Sequence, residues 1–177
     1  LFIHCSKNFL CNFRNKFLIR NGVITTDPTA DIKSPRIEKK EIEFLSIEEI
    51  DRLMSLPDDT VKGIRDRAIL ELMYATGIKA SELIDLEEGD CNLYRGFVKC
   101  SGEHVKARIV PIGRPAKNAI QRYIDEAKPQ FTRGRNVPSL FVNYLGEPMT
   151  RQGLWKVIKE YGEKGEFSVK LTPQVIR

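Results

Sequence analysis

Apolar positions recur at helical spacing along most of this chain, and the breaks between runs fall at glycine, proline or polar clusters. Phe2, Phe9, Phe13 and Phe17 share one face of a helix predicted over 1–21, with Gly22 just past its end. Lys7, Arg14, Lys16 and Arg20 occupy its other faces. From Thr25 to Glu43 the periodicity stops, and Asp27-Pro28, Ser34-Pro35 and a charged tail read as a linker. Ser46 and Glu49 form a capping box ahead of Ile47, Ile50, Leu53 and Met54, and Pro57 closes that helix. In the next helix Ile64, Ala68, Ile69, Leu72 and Met73 leave few polar faces, so it is expected in the core. Gly77 supplies its left-handed stop, and a further helix carries Lys79, Ser81 and Glu82.

In the second half the pattern becomes mixed. Residues 97–100 and 108–112 read as short strands joined by a hairpin turn over 101–107. Pro115 begins a helix through about Ala127 with Ala116, Ala119, Ile120 and Tyr123 inward. A basic loop follows over 131–138, then a brief strand or extended connector over 140–142. Thr150 caps a helix whose stripe is Leu154, Val157, Ile158 and Tyr161, at i, i+3, i+4 and i+7. Thr172 and Pro173 are a good cap and first helical residue for a helix that has made about one turn by Arg177, too little to stand alone. A chain opening at Leu1 inside a helical pattern, and closing one turn into another helix, is expected to be cut at both ends. These elements add up to a mostly helical α+β domain with a small antiparallel sheet, preceded by one helix.

Composition narrows the class. Hydrophobic residues are 41% and charged residues 30% of 177, which describes a globular protein able to bury a sizeable core. No apolar run spans a bilayer and no signal-peptide layout opens the chain, so no membrane partner and a cytoplasmic location are expected. Cys5, Cys11, Cys91 and Cys100 show no CxxC spacing, and His4 and His104 are the only histidines. Reduced thiols and no metal site are therefore expected. The net charge of +5 is unevenly spread. Lys and Arg against Asp and Glu number 8 to 3 over 1–40, 6 to 14 over 41–95, and 15 to 7 over 96–177. Two basic segments around an acidic one allow a positive face of the kind that suits a phosphate backbone, although a mixed, solvated surface would carry the same charges.

Four stretches, in order, then carry a resemblance. ATGIKASEL (75–83) resembles the ATG-[LI]-R-x-SEL signature of the tyrosine recombinases, those of the Xer type in particular. KARIVPIG (106–113), LFVNYLGEPMTRQGLWKVIKEY (140–161) and LTPQVIR (171–177) follow in the family's order, so the likeness covers essentially the whole chain. It implies the last helix of a core-binding domain over 1–24, an interdomain linker over 25–44, and a tyrosine recombinase catalytic-domain fold over 45–177. The implied partners are double-stranded DNA and other recombinase protomers.

The resemblance also implies a chemistry. Such enzymes cut DNA without metal or nucleotide, through a 3′-phosphotyrosyl link, so the resemblance implies no cofactor. That reaction needs cations at the non-bridging oxygens, an acid for the leaving oxygen and a group to manage the phenol proton. Lys79 stands where the first arginine is expected; it keeps the charge but loses the planar fork. Taken alone, it could equally be a surface lysine capping a helix. Glu82 is implied to brace the site from a buried position. The pattern G-K-G-x-K-x-R reads here Ser101-Gly102-Glu103-His104-Val105-Lys106-Ala107-Arg108, so Glu103 occupies the place of the acid lysine. An ionised carboxylate has no proton to give and repels phosphate. Lys106 or His104 on the same turn are the available substitutes; otherwise Lys106 and Arg108 contact phosphate or are merely solvated. The H-x-x-R pair becomes Gln174 and Arg177, the glutamine unable to exchange a proton near neutral pH and the arginine matching directly. Thr150, Arg151, Gln152, Lys156 and Thr172 are candidate DNA contacts, against the plainer reading of a well-capped amphipathic helix.

Two readings follow. One is a fragment of a site-specific recombinase, inactive because its tyrosine is absent and three site positions are substituted. The other is a non-catalytic DNA-binding or partner-binding module derived from one.

Overall fold

The computed structural model describes residues 14–26, 43–102 and 105–177, apart from the side chains of 102–106. Phe2, Phe9, Phe13, most of the expected linker, Glu103 and His104 lie outside the described residues. The chain divides into two compact units, Leu1–Ile42 and Glu43–Arg177. In the first, α1 covers 14–20 and stops at Gly22 with φ 67°. There the Asn21 side-chain amide donates to the Phe17 carbonyl at 2.8 Å, closing the last turn.

The second unit is built around one buried helix. α2 (Ile47–Ser55) opens on the expected capping box: Ser46 Oγ accepts from Glu49 N at 3.2 Å, and Glu49 Oε2 accepts from Ser46 N at 2.9 Å. α3 (Val61–Thr76) is capped by Thr60 and buries Ala68, Ile69, Leu70, Leu72 and Met73 completely. Apolar residues around its circumference, rather than along one stripe, make it the core element that others cover. Gly77 ends it at φ 58°, a conformation costly for any residue with a Cβ. α4 (Ala80–Ile84) follows at once, which places Lys79 at the turn between them.

Strands β1 (Cys91–Asn92), β2 (Phe97–Gly102) and β3 (Val105–Pro111) form an antiparallel sheet in that order. Val98 pairs with Val110 and Cys100 with Arg108, with an irregularity between Cys100 and Gly102. The hairpin strands run further toward the turn than the expected 97–100 and 108–112, because backbone pairing continues to Gly102–Val105 after side-chain alternation has stopped. β1 is two residues long, too short to leave any periodicity in the sequence.

α5 (Arg114–Arg122) passes through a π-helical turn over Tyr123–Ala127 into α6 (Lys128–Thr132). The helix expected to stop near Ala127 therefore runs on to Thr132. The π turn absorbs Pro129, whose missing N–H and ring would break a regular α-helix at that point. Tyr123 lies inside, stacked on Phe141 at 5.3 Å, its hydroxyl accepting from Val142 N at 3.1 Å. The stretch expected as strand or connector over 140–142 is a bent connector, with a single bridge from Val142 to Pro148. α7 (Arg151–Lys164) buries the predicted stripe Leu154, Val157, Ile158 and Tyr161, and α8 (Pro173–Ile176) closes the unit. Among the described residues no helix is long and apolar enough to cross a membrane.

A buried polar group ties α3 to α7 and the 140s. Arg65 donates through Nε and Nη2 to Asp66 Oδ1 at 2.9 and 2.8 Å, and through Nη1 to the Val142 carbonyl. Tyr161 donates to the other Asp66 oxygen at 3.2 Å, and the guanidinium lies over the Phe131 ring. Burial raises the Asp66 carboxyl above its usual range, while Arg65 offsets part of that rise.

Candidate functional site

Three pieces of chain far apart in sequence wall one cleft of about 850 Å³: the α3–α4 turn, the first turns of α7, and α8 with its cap. Each is set by a local device. The Gly77 reversal turns the chain so that Lys79 emerges beside α8, and a Cβ on Gly77 would lie 3.4 Å from Arg177 Cγ. Thr150 Oγ1 accepts from Gly153 N at 3.0 Å, starting α7 so that Arg151, Gln152 and Lys156 point away from the buried stripe. Thr172 Oγ1 accepts from Val175 N at 3.3 Å and starts α8, which carries Gln174 and Arg177.

Of the residues expected at the site, Lys79, Arg151, Gln152, Lys156, Thr172, Gln174 and Arg177 line this cleft together. Thr150 does not line it; it acts one step back as the α7 cap. Glu82 is 2% exposed and sits behind the wall. Its Oε2 accepts from the Lys79 backbone N–H at 3.0 Å. Both of its oxygens also take the Arg108 fork, at 2.6 and 2.9 Å. These bonds, the Arg108 pair foremost, hold the Glu82 carboxyl down to about 2. Arg108, expected on phosphate or in solvent, forms a two-pronged pair with Glu82 and keeps part of its side chain exposed. The spacing of 26 residues between them left no local pattern to reveal the pair. Lys106 stands on β3, and Glu103 lies outside the described residues.

The cleft's electrostatics are one-sided. Lys79, Arg151, Lys156 and Arg177 line it, and no acidic side chain does. Among the described residues none of these four makes an ion pair, although ten such pairs occur elsewhere, many on the surface. Four unneutralised cations side by side repel one another, a cost that an incoming anion removes. None of the chain's five tyrosines lines the cleft. Tyr123 and Tyr161 are core residues as expected, and Tyr74, Tyr94 and Tyr144 are exposed.

Sequence reasoning missed Trp155 and Ser81, which also line the cleft. The signal for Trp155 was its place four residues after Arg151, on the flank of the buried stripe of α7.

Comparison with known proteins is decisive at the family level: residues 43–177, the second unit, match the phage integrase family. The chain belongs to that family. Tyrosine recombinase XerD of Staphylococcus haemolyticus (strain JCSC1435) is 42% identical over 164 residues, covering 92% of this chain and 56% of the relative. Tyrosine recombinase XerD of Oceanobacillus iheyensis is 40% identical over 164 residues, covering 92% and 55%. The chain thus spans a little over half the length of these relatives. Among solved structures, the crystal structure of XerA recombinase superposes with a TM-score of 0.66 at 21% identity, covering 97% of this chain and 57% of that one. The Tn1549 transposon integrase in complex with circular intermediate DNA gives 0.61 at 19%, covering 97% and 62%. The fold of this phage integrase family member is therefore the mostly helical catalytic-domain fold of the tyrosine recombinases, with its small antiparallel sheet.

Proposed function

We propose that residues 45–177 are a recombinase-type catalytic domain that grips the phosphate backbone of double-stranded DNA without cutting it, following a helix over 1–24 that belongs to a core-binding domain and a linker over 25–44. One observation carries this reading: four side-chain cations without ion-pair partners line a single cleft that has no acidic side chain. Phosphodiesters are the ligands such a cluster suits, because each neutralised phosphate releases a condensed counterion. The family supports DNA in particular, since structural relatives are recombinases solved on DNA.

The inactivity rests on the side chains present. Lys79 gives the phosphate one point charge where the family's arginine gives a two-pronged grip. Gln174 donates hydrogen bonds but cannot pass a proton near neutral pH, and Glu103 stands in the sequence where the acid lysine belongs. Losing one oriented transition-state contact costs on the order of a hundredfold in rate, and here several are absent together.

The test is incubation of the 177-residue chain with a recombination-site duplex, scored for a covalent protein–DNA adduct and, separately, for reversible binding. Binding that weakens with salt, and no adduct, is the expected result. An adduct overturns the inactivity; no binding at low salt overturns the DNA assignment.

A further inference from the structure

The connector between α7 and α8 has no backbone ladder of its own. Residues 166–171 make no backbone-to-backbone hydrogen bond among the described residues. The segment also opens on Glu166 at φ 48°, a left-handed conformation that is unfavourable for a residue with a Cβ. Such a bend persists only where its surroundings hold it.

The hold comes from α2. Ser168 N donates to Glu49 Oε1 at 2.7 Å, and Arg52 Nη2 donates to the Glu166 carbonyl at 2.9 Å. The Arg52 guanidinium also lies over the Phe167 ring, 5.2 Å from its centre. Glu49 and Arg52 are one helical turn apart, so a single face of α2 carries both. Glu49 gives its other oxygen to the Ser46 N–H in the capping box. The bonds from Ser168 and Ser46 hold the Glu49 carboxyl down to about 2, so it stays ionised at neutral pH.

What the connector leads to gives these bonds their consequence. From Ser168 the chain runs through buried Leu171 to Thr172, the cap of α8, and α8 brings Gln174 and Arg177 to the cleft wall. Leu171 and Ile176 press this segment against the core, but apolar burial is non-directional and tolerates a small slide. Directional hydrogen bonds to α2 remove that freedom.

We infer that Glu49 and Arg52 are positioning residues of the phosphate cleft: by pinning 166–168 to α2 they fix where α8 begins, and so where Arg177 stands beside the Lys79 turn. This rests on the phosphate-binding reading above and adds two residues that touch no ligand.

Charge makes the test selective. Removing the Glu49 carboxylate makes the chain more positive, which by long-range attraction alone strengthens binding to a polyanion, whereas loss of positioning weakens it. Anisotropy of a labelled duplex between about 50 and 200 mM salt is measured for the native chain, Ser46→Ala, Glu49→Ala, Arg177→Ala and the Glu49→Ala/Arg177→Ala double variant. Circular dichroism checks the fold of each. Ser46→Ala loses the α2 cap but keeps the connector bonds, so it should bind as the native chain does. Glu49→Ala should lower affinity about fivefold to tenfold and make the salt slope shallower by about one. In the Arg177→Ala background the same substitution should cost less than about twofold, because the cation it positions is gone. Equal or tighter binding by Glu49→Ala, a loss matched by Ser46→Ala, or a full loss repeated in the Arg177→Ala background overturns the positioning role and leaves the phosphate reading standing. No duplex binding by the native chain overturns both. If Glu49→Ala fails to fold, Arg52→Gln, which keeps the capping box, takes its place and is judged on the same coupling to Arg177→Ala.

Discussion

At Glu82 one carboxylate serves two segments. It holds the Lys79 backbone N–H and both prongs of Arg108, so it ties the β-hairpin to the turn that presents a cleft cation. Because its folded value lies near 2 against an ordinary 4.5, the pair's stabilisation is complete above pH 4.5 and disappears as pH falls toward 2. Glu82→Gln should therefore lower stability at pH 7 by about 1–2 kcal/mol, after allowing for solvent at the part-exposed Arg108, and cost little at pH 2. Urea unfolding at the two pH values measures both numbers; equal losses would refute the linkage. Asp66 differs, because its pair is wholly interior. Asp66→Asn leaves the Arg65 charge buried and uncompensated, and should cost about 3–5 kcal/mol in the same assay at pH 7. Glu82 was readable from the motif, but its partner was not. Neither was the Arg65–Asp66–Tyr161 group, since nothing in the order of residues says which distant hydroxyl will reach a buried acid.

At the scale of elements, caps and breaks were the legible features. Ser46 with Glu49, Thr150 and Thr172 all sit where short-range chemistry demands, because a cap depends on residues only two or three positions away. Gly77 shows how such a local feature acquires a wider consequence. Its left-handed backbone ends α3 and also lets Arg177 lie against the turn. Gly77→Ala should lower stability by about 1–2 kcal/mol from backbone strain alone. It should also weaken nucleic-acid binding beyond what a stability-matched core variant does, and comparison of the two by anisotropy checks this. The α5–α6 boundary was not legible: Pro129 signals a break, and only packing of Tyr123 and Ala127 into the core lets the helix continue through a π turn.

For the whole molecule the relevant quantity is charge brought together by folding. If the four cleft cations each neutralise one phosphate, the logarithm of the binding constant should fall against the logarithm of salt with a slope of about −4 for duplex. Arg151→Ala should make that slope shallower by about one, as measured by anisotropy between 50 and 200 mM salt on the scale over which such slopes are usually taken, roughly a Debye length of 7–14 Å. An unchanged slope would remove Arg151 from the interface. The sequence by itself determined the family, most of the helices and the hairpin, the α3 core and the identity of seven cleft residues, because periodicity, caps and ordered motifs are properties of neighbours along the chain. Only the tertiary structure decided that Arg108 pairs with Glu82, that Lys79, Arg151, Lys156 and Arg177 share one cleft free of acidic side chains, and that Trp155 stands among them. Those facts depend on which distant segments fold side by side, and that is settled by burial of the α3 and α7 faces rather than by any local run of residues.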